Sequence, residues 1–216
     1  MKKERDFVEK ARVFLTLFIR ITLVAALFST LVTQNWYVLF IVVLALALTF
    51  LPFIIEKQYR VDLPAELEML TVILVYASIF LGEVHDYYLK FWWWDLALHA
   101  LSGIAVGFVG FMILFIMYKG KKIEARPVTI ALFSFCFAAA IGSLWEVFEF
   151  AMDQIFGLNM QKSGLLDTMW DLVINHAGAL IASAAGYVYI KRGDSFIFNI
   201  MMRRFKKNNP DLVKKR

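Results

Sequence analysis

Charge is scarce in this chain. Of its 216 residues only 19% are Asp, Glu, Lys or Arg, against roughly 25% in an average soluble domain. Hydrophobic residues make up 61% and aromatics 16%, and the mean hydropathy is +0.66. A water-soluble domain of this size could not hide that much apolar surface in one core, because much of its own surface must stay exposed. A bilayer removes the conflict by solvating the outside with hydrocarbon. Cysteine is almost missing: Cys136 stands alone in an apolar run, so no intrachain disulfide is possible and packing is its natural role. No P-loop, nucleophile elbow, HExxH or dinucleotide fingerprint occurs, which removes the chemistries those motifs carry. Repeats, low-complexity runs and long linkers are also lacking, so residues 1–190 read as one transmembrane domain followed by a basic tail, 191–216.

What the chain has in quantity is long apolar runs. A spanning helix needs about 20 mostly apolar residues, and six segments qualify: 13–32, 36–55, 66–81, 91–118, 127–152 and 168–190. The expected fold is therefore all-α, a polytopic bundle of six transmembrane helices with short antiparallel connections. The third run is the shortest and opens on a polar shoulder, where Asp62 is placed to cap the helix and Pro64 to occupy its first turn. The first run is longer than a signal-peptide core and no A-x-A site follows it, which favours a retained helix.

Lys and Arg fix the expected orientation. With the N-terminus inside, residues 1–12 hold five basic residues, 56–65 two, 119–126 four and 191–216 nine. The outer loops hold only Lys90 and Lys162, and Arg20 lies within the first helix, from which it can snorkel to the inner interface. The positive-inside rule then puts both termini in the cytoplasm. The net charge of +5 is a topology signal and not a nucleic-acid footprint. Arg203, Arg204, Lys206 and Lys207, after the apolar run 196–202, suit an interfacial helix along anionic lipids of the inner leaflet.

Polar residues in the last three helices break the apolar pattern, and groups of this kind are expensive in a membrane. Helix four carries Asp95 and His99, four residues apart on one face. Helix five leaves the membrane through Glu146, Glu149 and Asp153, an i, i+3, i+7 stripe, and helix six enters with Asp167, Asp171 and Asn175 at i, i+4, i+8. At 1.5 Å per residue, Asp95 and His99 lie roughly 6 and 12 Å past Phe91, and Asp171 and Asn175 the same distances past Asp167. All of them fall in one layer below the outer surface. Gly103, Gly107 and Gly110, Ala138 and Gly142, and Gly178, Ala182 and Gly186 give the same helices small-residue spacing for close approach.

Imidazole with several carboxylates suits Zn, Mn or Fe, or Mg with waters, and a cation offsets the repulsion of acids held so close. The metal candidates are Asp95, His99, Glu149 and Asp171. Glu146 is placed to act as general base, Asn175 to hold substrate, and His85, in the outer loop 81–86, to cover the site. Such an ion could activate water against a lipid ester, amide or phosphate. Two other readings remain: an ion- or proton-coupled small transporter, and a sensor or assembly factor whose polar network only holds the bundle together. No inverted repeat or polar lining of the inner halves supports the transporter. Trp36, Tyr37 and Trp92, Trp93, Trp94 read as interfacial anchors, and His176, turned about 100° from the Asp171–Asn175 stripe, as a packing histidine.

The runs Leu81-Gly-Glu-Val-His-Asp-Tyr87, Trp94-Asp-Leu-Ala-Leu-His-Ala-Leu-Ser-Gly103, Gly142-Ser-Leu-Trp-Glu-Val-Phe-Glu-Phe150 and Asp167-Thr-Met-Trp-Asp-Leu-Val-Ile-Asn175, with Gly178-Ala179, resemble the YjdF-like family of bacterial inner-membrane proteins of unknown function. The resemblance covers about residues 66–190 and implies a bacterial plasma-membrane protein. It supplies no reaction or cofactor, but its recognisable positions, His85, Asp95, His99, Glu146, Glu149, Asp171 and Asn175, coincide with the polar layer.

The orientation has a direct check. With Cys136→Ala as background, a cysteine at position 90 should react with an impermeant thiol reagent added outside intact cells, and one at position 121 should not. The opposite labelling pattern would invert the topology.

Overall fold

The computed structural model describes the backbone of residues 2–193 and 196–213, and the side chains of 7–193 and 198–212. Among the described residues there is no strand. Six helices among the described residues are long and apolar enough to cross a membrane: Phe7–Val32, Trp36–Tyr59, Ala65–Val84, Trp94–Lys119, Pro127–Phe156 and Leu165–Arg192. Each apolar run thus becomes one span, and most helices continue past it into polar flanks, because hydropathy marks the hydrocarbon region and not the helix end. Their outward faces are apolar. Phe14, Ile21 and Phe28, two turns apart on the first helix, are 72%, 65% and 63% exposed, which only a lipid solvent tolerates as a continuous stripe.

In chain order the elements are α1 (Lys2–Val32), α2 (Trp36–Leu48), α3 (Leu51–Tyr59), α4 (Ala65–Val75), which continues as a π-helix over Tyr76–Val84, α5 (Tyr87–Lys90), α6 (Trp94–Lys119), α7 (Pro127–Phe156), α8 (Leu165–Arg192), α9 (Phe196–Asn208) and α10 (Pro210–Val213). They form two compact units, Met1–Trp94 with Met201–Asn209, and Asp95–Ile200 with Pro210–Arg216.

In the first unit α1, α2 and α4 share a core of Ile19, Leu23, Val42, Ala45, Val72 and Phe80. The second span is broken between α2 and α3, where Pro52 sits in the first turn of α3 and lacks an N–H. Arg20 serves that break. Its Nε donates to the Thr49 hydroxyl at 3.2 Å, its Nη2 to the Thr49 carbonyl at 3.0 Å, and the guanidinium lies 3.8 Å from the Phe50 ring centre. The charge expected to snorkel is therefore held by the neighbouring helix. The third span widens to π geometry, and the indole of Trp94 donates to the Ala77 carbonyl at 3.3 Å. Its start also differs from expectation. Pro64 is the N-cap residue and no side chain caps the helix; Asp62, two residues earlier, has its backbone N–H and carbonyl paired with the Asn209 side chain at 2.8 Å each. Arg12 reaches both oxygens of Glu68 at 2.8 Å, and Arg204 of α9 pairs with Glu66.

The helix α9 buries Phe198, Met202 and Phe205 as an i, i+4, i+7 stripe. That stripe, expected to face lipid headgroups, is packed in protein, while Arg203 and Lys207 remain exposed. Phe198, which belongs to the second unit, meets Phe108 and Phe111 of the same unit at ring distances of 4.9 and 4.8 Å.

The second unit is built on backbone contact between α6 and α8. A Cβ at Gly103 would fall on the Asn175 carbonyl oxygen, and one at Gly178 on that of Ala100. Gly107 meets Ala182 one turn further on, and Gly186 meets the Phe111 ring. The third helix joins through Ser134, whose hydroxyl donates to the Gly107 carbonyl at 2.7 Å, and through Gly142, which abuts the Asn175 side chain. Gly178→Ala should therefore push α6 and α8 apart and destabilise the protein by about 1–3 kcal/mol, read as a lower unfolding midpoint in detergent. An unchanged midpoint would contradict this packing.

Candidate metal centre

The crossing of α6 and α8 places the polar layer. One turn before Gly103 on α6 is His99, and one turn before it is Asp95. On α8, Asp171 and Asn175 precede Gly178 on the same face. The outcome is an imidazole flanked by acids on both ring nitrogens. Nε2 of His99 lies 3.5 Å from Asp95 Oδ1 and 3.9 Å from Asp171 Oδ2, while Nδ1 lies 3.8 Å from Glu146 Oε1 of α7. His99, Glu146 and Asp171 are buried, with 7%, 4% and 2% of their surface exposed.

Asp95, His99 and Asp171 each offer one ligand atom, and the three atoms lie within 4.8 Å of one another. With bonds of about 2.1 Å, two ligands of a tetrahedral metal stand about 3.4 Å apart. The 3.5 and 3.9 Å separations from His99 Nε2 are close to that edge, so small side-chain adjustments would close the set around an ion. The donor set, one imidazole nitrogen and two carboxylates, fits Zn, Mn or Fe, with Mg possible through added waters.

Around this set several polar atoms lack partners. Neither oxygen of Glu146 makes a hydrogen bond of ordinary geometry, although the Thr168 hydroxyl stands beside the group, and Oδ1 of Asn175 is likewise buried without a donor. Asn175 Nδ2 makes only long contacts, 3.5 Å to the His99 carbonyl and 3.4 Å to the Ser102 hydroxyl. Native proteins rarely leave such groups unsatisfied without a ligand, ion or water to serve them.

The other candidates are distributed as follows. Glu149 is half-buried and accepts the Trp145 indole N–H at 2.9 Å, so the two glutamates of α7 have different surroundings despite their shared stripe. Asp153 accepts the backbone N–H groups of Met160 and Gln161 at 2.7 and 2.9 Å and orders the loop after α7. His85 belongs to the first unit, its Nδ1 3.2 Å from the Phe80 carbonyl and its backbone oxygen bound by Lys90. His176 bonds the Leu172 carbonyl of its own helix and stacks edge-on near Phe135. Sequence reasoning missed Thr168, Gln161 and Ser102. Thr168 is three residues before Asp171 and Ser102 three after His99, so helical spacing could have found both.

Residues 12–192 match the family described as "Predicted membrane protein (DUF2238)", and the chain belongs to that family. The uncharacterised membrane family implied by residues 66–190 is thus present, over a longer stretch and under this description. A protein of Thermotoga maritima, described as an uncharacterized protein, is 27% identical over 149 residues, which are 69% of this chain and 75% of that one. No solved structure matches.

The sparse hydrogen bonding of Glu146 has a measurable consequence. A buried carboxylate without a full set of partners opposes folding, and an apolar group of similar size does not. In metal-free, chelator-treated protein, Glu146→Met should raise the unfolding midpoint, by the equivalent of about 1–3 kcal/mol. A marked fall would mean that the carboxylate itself holds the bundle together.

Proposed function

We propose that this is a bacterial plasma-membrane protein with both termini cytoplasmic, in which Asp95, His99 and Asp171 hold one divalent metal near the outer face. Its function is metal-assisted attack of water on an ester, amide or phosphate of a lipid or cell-envelope substrate. The observation that carries this reading is the convergence of one imidazole nitrogen and two carboxylate oxygens, from two helices, within 4.8 Å. A bound Zn, Mn, Fe or Mg ion supplies a polarised substrate oxygen and an acidified water. The two aspartates offset its charge, and the imidazole fixes its position. Glu149 and Asn175 stand in the same layer and would line the space for substrate.

The orientation rests on the distribution of Lys and Arg, with 20 of 23 on one side of the spans. Exposed Arg203 and Lys207 on α9 favour contact with anionic lipids of the inner leaflet.

Metal analysis of detergent-purified protein tests the reading. Near-stoichiometric metal in the parent, lost in His99→Ala and in Asp171→Asn, is the expected result. A parent free of metal after expression in metal-replete medium, and unable to take up Zn, Mn, Fe or Mg on reconstitution, would leave the polar layer a packing network.

A further inference from the structure

Resting on that metal reading, we infer that Glu146 is a positioning residue for His99: its carboxylate accepts a hydrogen bond from the Nδ1–H, which keeps the proton there and leaves Nε2 free to ligate. The argument starts from the ring. A neutral imidazole carries one proton, and only its bare nitrogen can bind a metal. Nε2 faces Asp95 and Asp171, so the proton must sit at Nδ1 when the metal is bound. Nδ1 faces Glu146 Oε1 at 3.8 Å. Glu146 is 4% exposed and its oxygens make no hydrogen bond of ordinary geometry, so it has acceptor capacity to give.

The opposite side of Glu146 is buttressed. Gln161 Nε2 donates to the Thr168 hydroxyl at 2.6 Å, which leaves the hydroxyl proton for the Glu146 carboxylate beside it. A chain runs from Gln161 through Thr168 and Glu146 to the ring, and ends at the metal set. Metal-binding histidines usually have such a carboxylate behind them, and its removal weakens binding by roughly 10–100-fold. Glu146 as a fourth ligand fits less well, because it lies on the ring nitrogen turned away from the two aspartates. The assignment replaces the general-base role expected of this residue.

The test is Zn(II) titration of the detergent-solubilised full chain, as parent, Glu146→Ala and Glu146→Gln, with nitrogen NMR of its three histidines. Glu146→Ala should weaken Zn(II) by roughly 10–100-fold. Glu146→Gln, whose amide oxygen still accepts from Nδ1, should recover most of that loss. The Zn-bound parent and the Gln variant should both carry the His99 proton on Nδ1. Equal abolition of binding in both variants would make Glu146 a ligand and overturn the inference. Parent-like affinity in Glu146→Ala would overturn it while leaving the metal site standing, and a parent that binds no Zn(II) would remove both. Should the alanine variant fail to fold, the parent alone decides, since a Zn-bound His99 with its proton on Nε2 is incompatible with this role.

Discussion

Direct backbone contact between α6 and α8 is the constraint from which the rest of the second unit follows. Lipid is as apolar as leucine, so helices in a membrane gain little from burying large side chains against one another and rely on close fit. Gly103 against the Asn175 carbonyl and Gly178 against the Ala100 carbonyl provide that fit. Because Gly103 lies one turn beyond His99 and Gly178 two turns beyond Asp171, the same crossing that packs the helices brings His99 and Asp171 to within 3.9 Å. Larger residues at the crossing would separate the helices and the ligand atoms together. Packing and site are therefore one feature of the sequence.

The treatment of polar groups elsewhere sharpens the meaning of the site. Where the second span breaks, Arg20 satisfies Thr49; where the third widens, Trp94 satisfies Ala77. Arg12 and Arg204 are each met by a glutamate. These are departures from regular helix or from apolar composition, and each charged group has an opposite charge or a carbonyl to meet, although single atoms of Arg12, Glu66 and Arg204 stay without a hydrogen bond. Around His99 the pattern fails. The oxygens of Glu146, with only the Thr168 hydroxyl beside them, and one oxygen of Asn175 are buried without a hydrogen bond of ordinary geometry. On the reading proposed above, a cation with its waters would serve these atoms, since an imidazole with carboxylates is a donor set that selects one.

Most of the architecture was legible in the sequence because the bilayer sets a length and a composition that few segments meet by accident. Six runs became six spans. The polar layer was legible through helical spacing, and the small residues that admit it were visible beside it. What periodicity could not supply was rotation and local geometry. Glu146, Glu149 and Asp153 share a stripe, yet the turn of α7 directs the first toward His99, the second toward Trp145 and the third into the following loop. Nothing in the run 36–55 except Pro52 announces a break, and the π segment over Tyr76–Val84 has no residue signature at all. The partner of Arg20 was hidden for a related reason: Thr49 serves it from the neighbouring helix through its hydroxyl and its backbone carbonyl, and a carbonyl is present at every position.

The far side of the polar layer bears on the choice between chemistry and transport. Beyond Ser102 and Asn175 the α6–α8 seam narrows to Gly107 against Ala182, and the hydroxyls of Ser134 and Ser183 are committed to the Gly107 and Leu180 carbonyls. Further along, Phe111, Phe115, Tyr189 and Phe198 pack ring against ring, with centroid distances of 4.8 to 6.4 Å. Phe111, Phe115 and Phe198 are at most 1% exposed. An ion or proton leaving the layer in that direction would have to separate packed aromatic rings, and the polar groups described there are the Ser183 hydroxyl, committed to the Leu180 carbonyl, and the phenol of Tyr189. Transport sites are reached in turn from both faces through polar or opening paths. A site closed on one side by aromatic packing can instead hold an ion in place while small groups approach from the other side, which is what a resident catalytic metal requires.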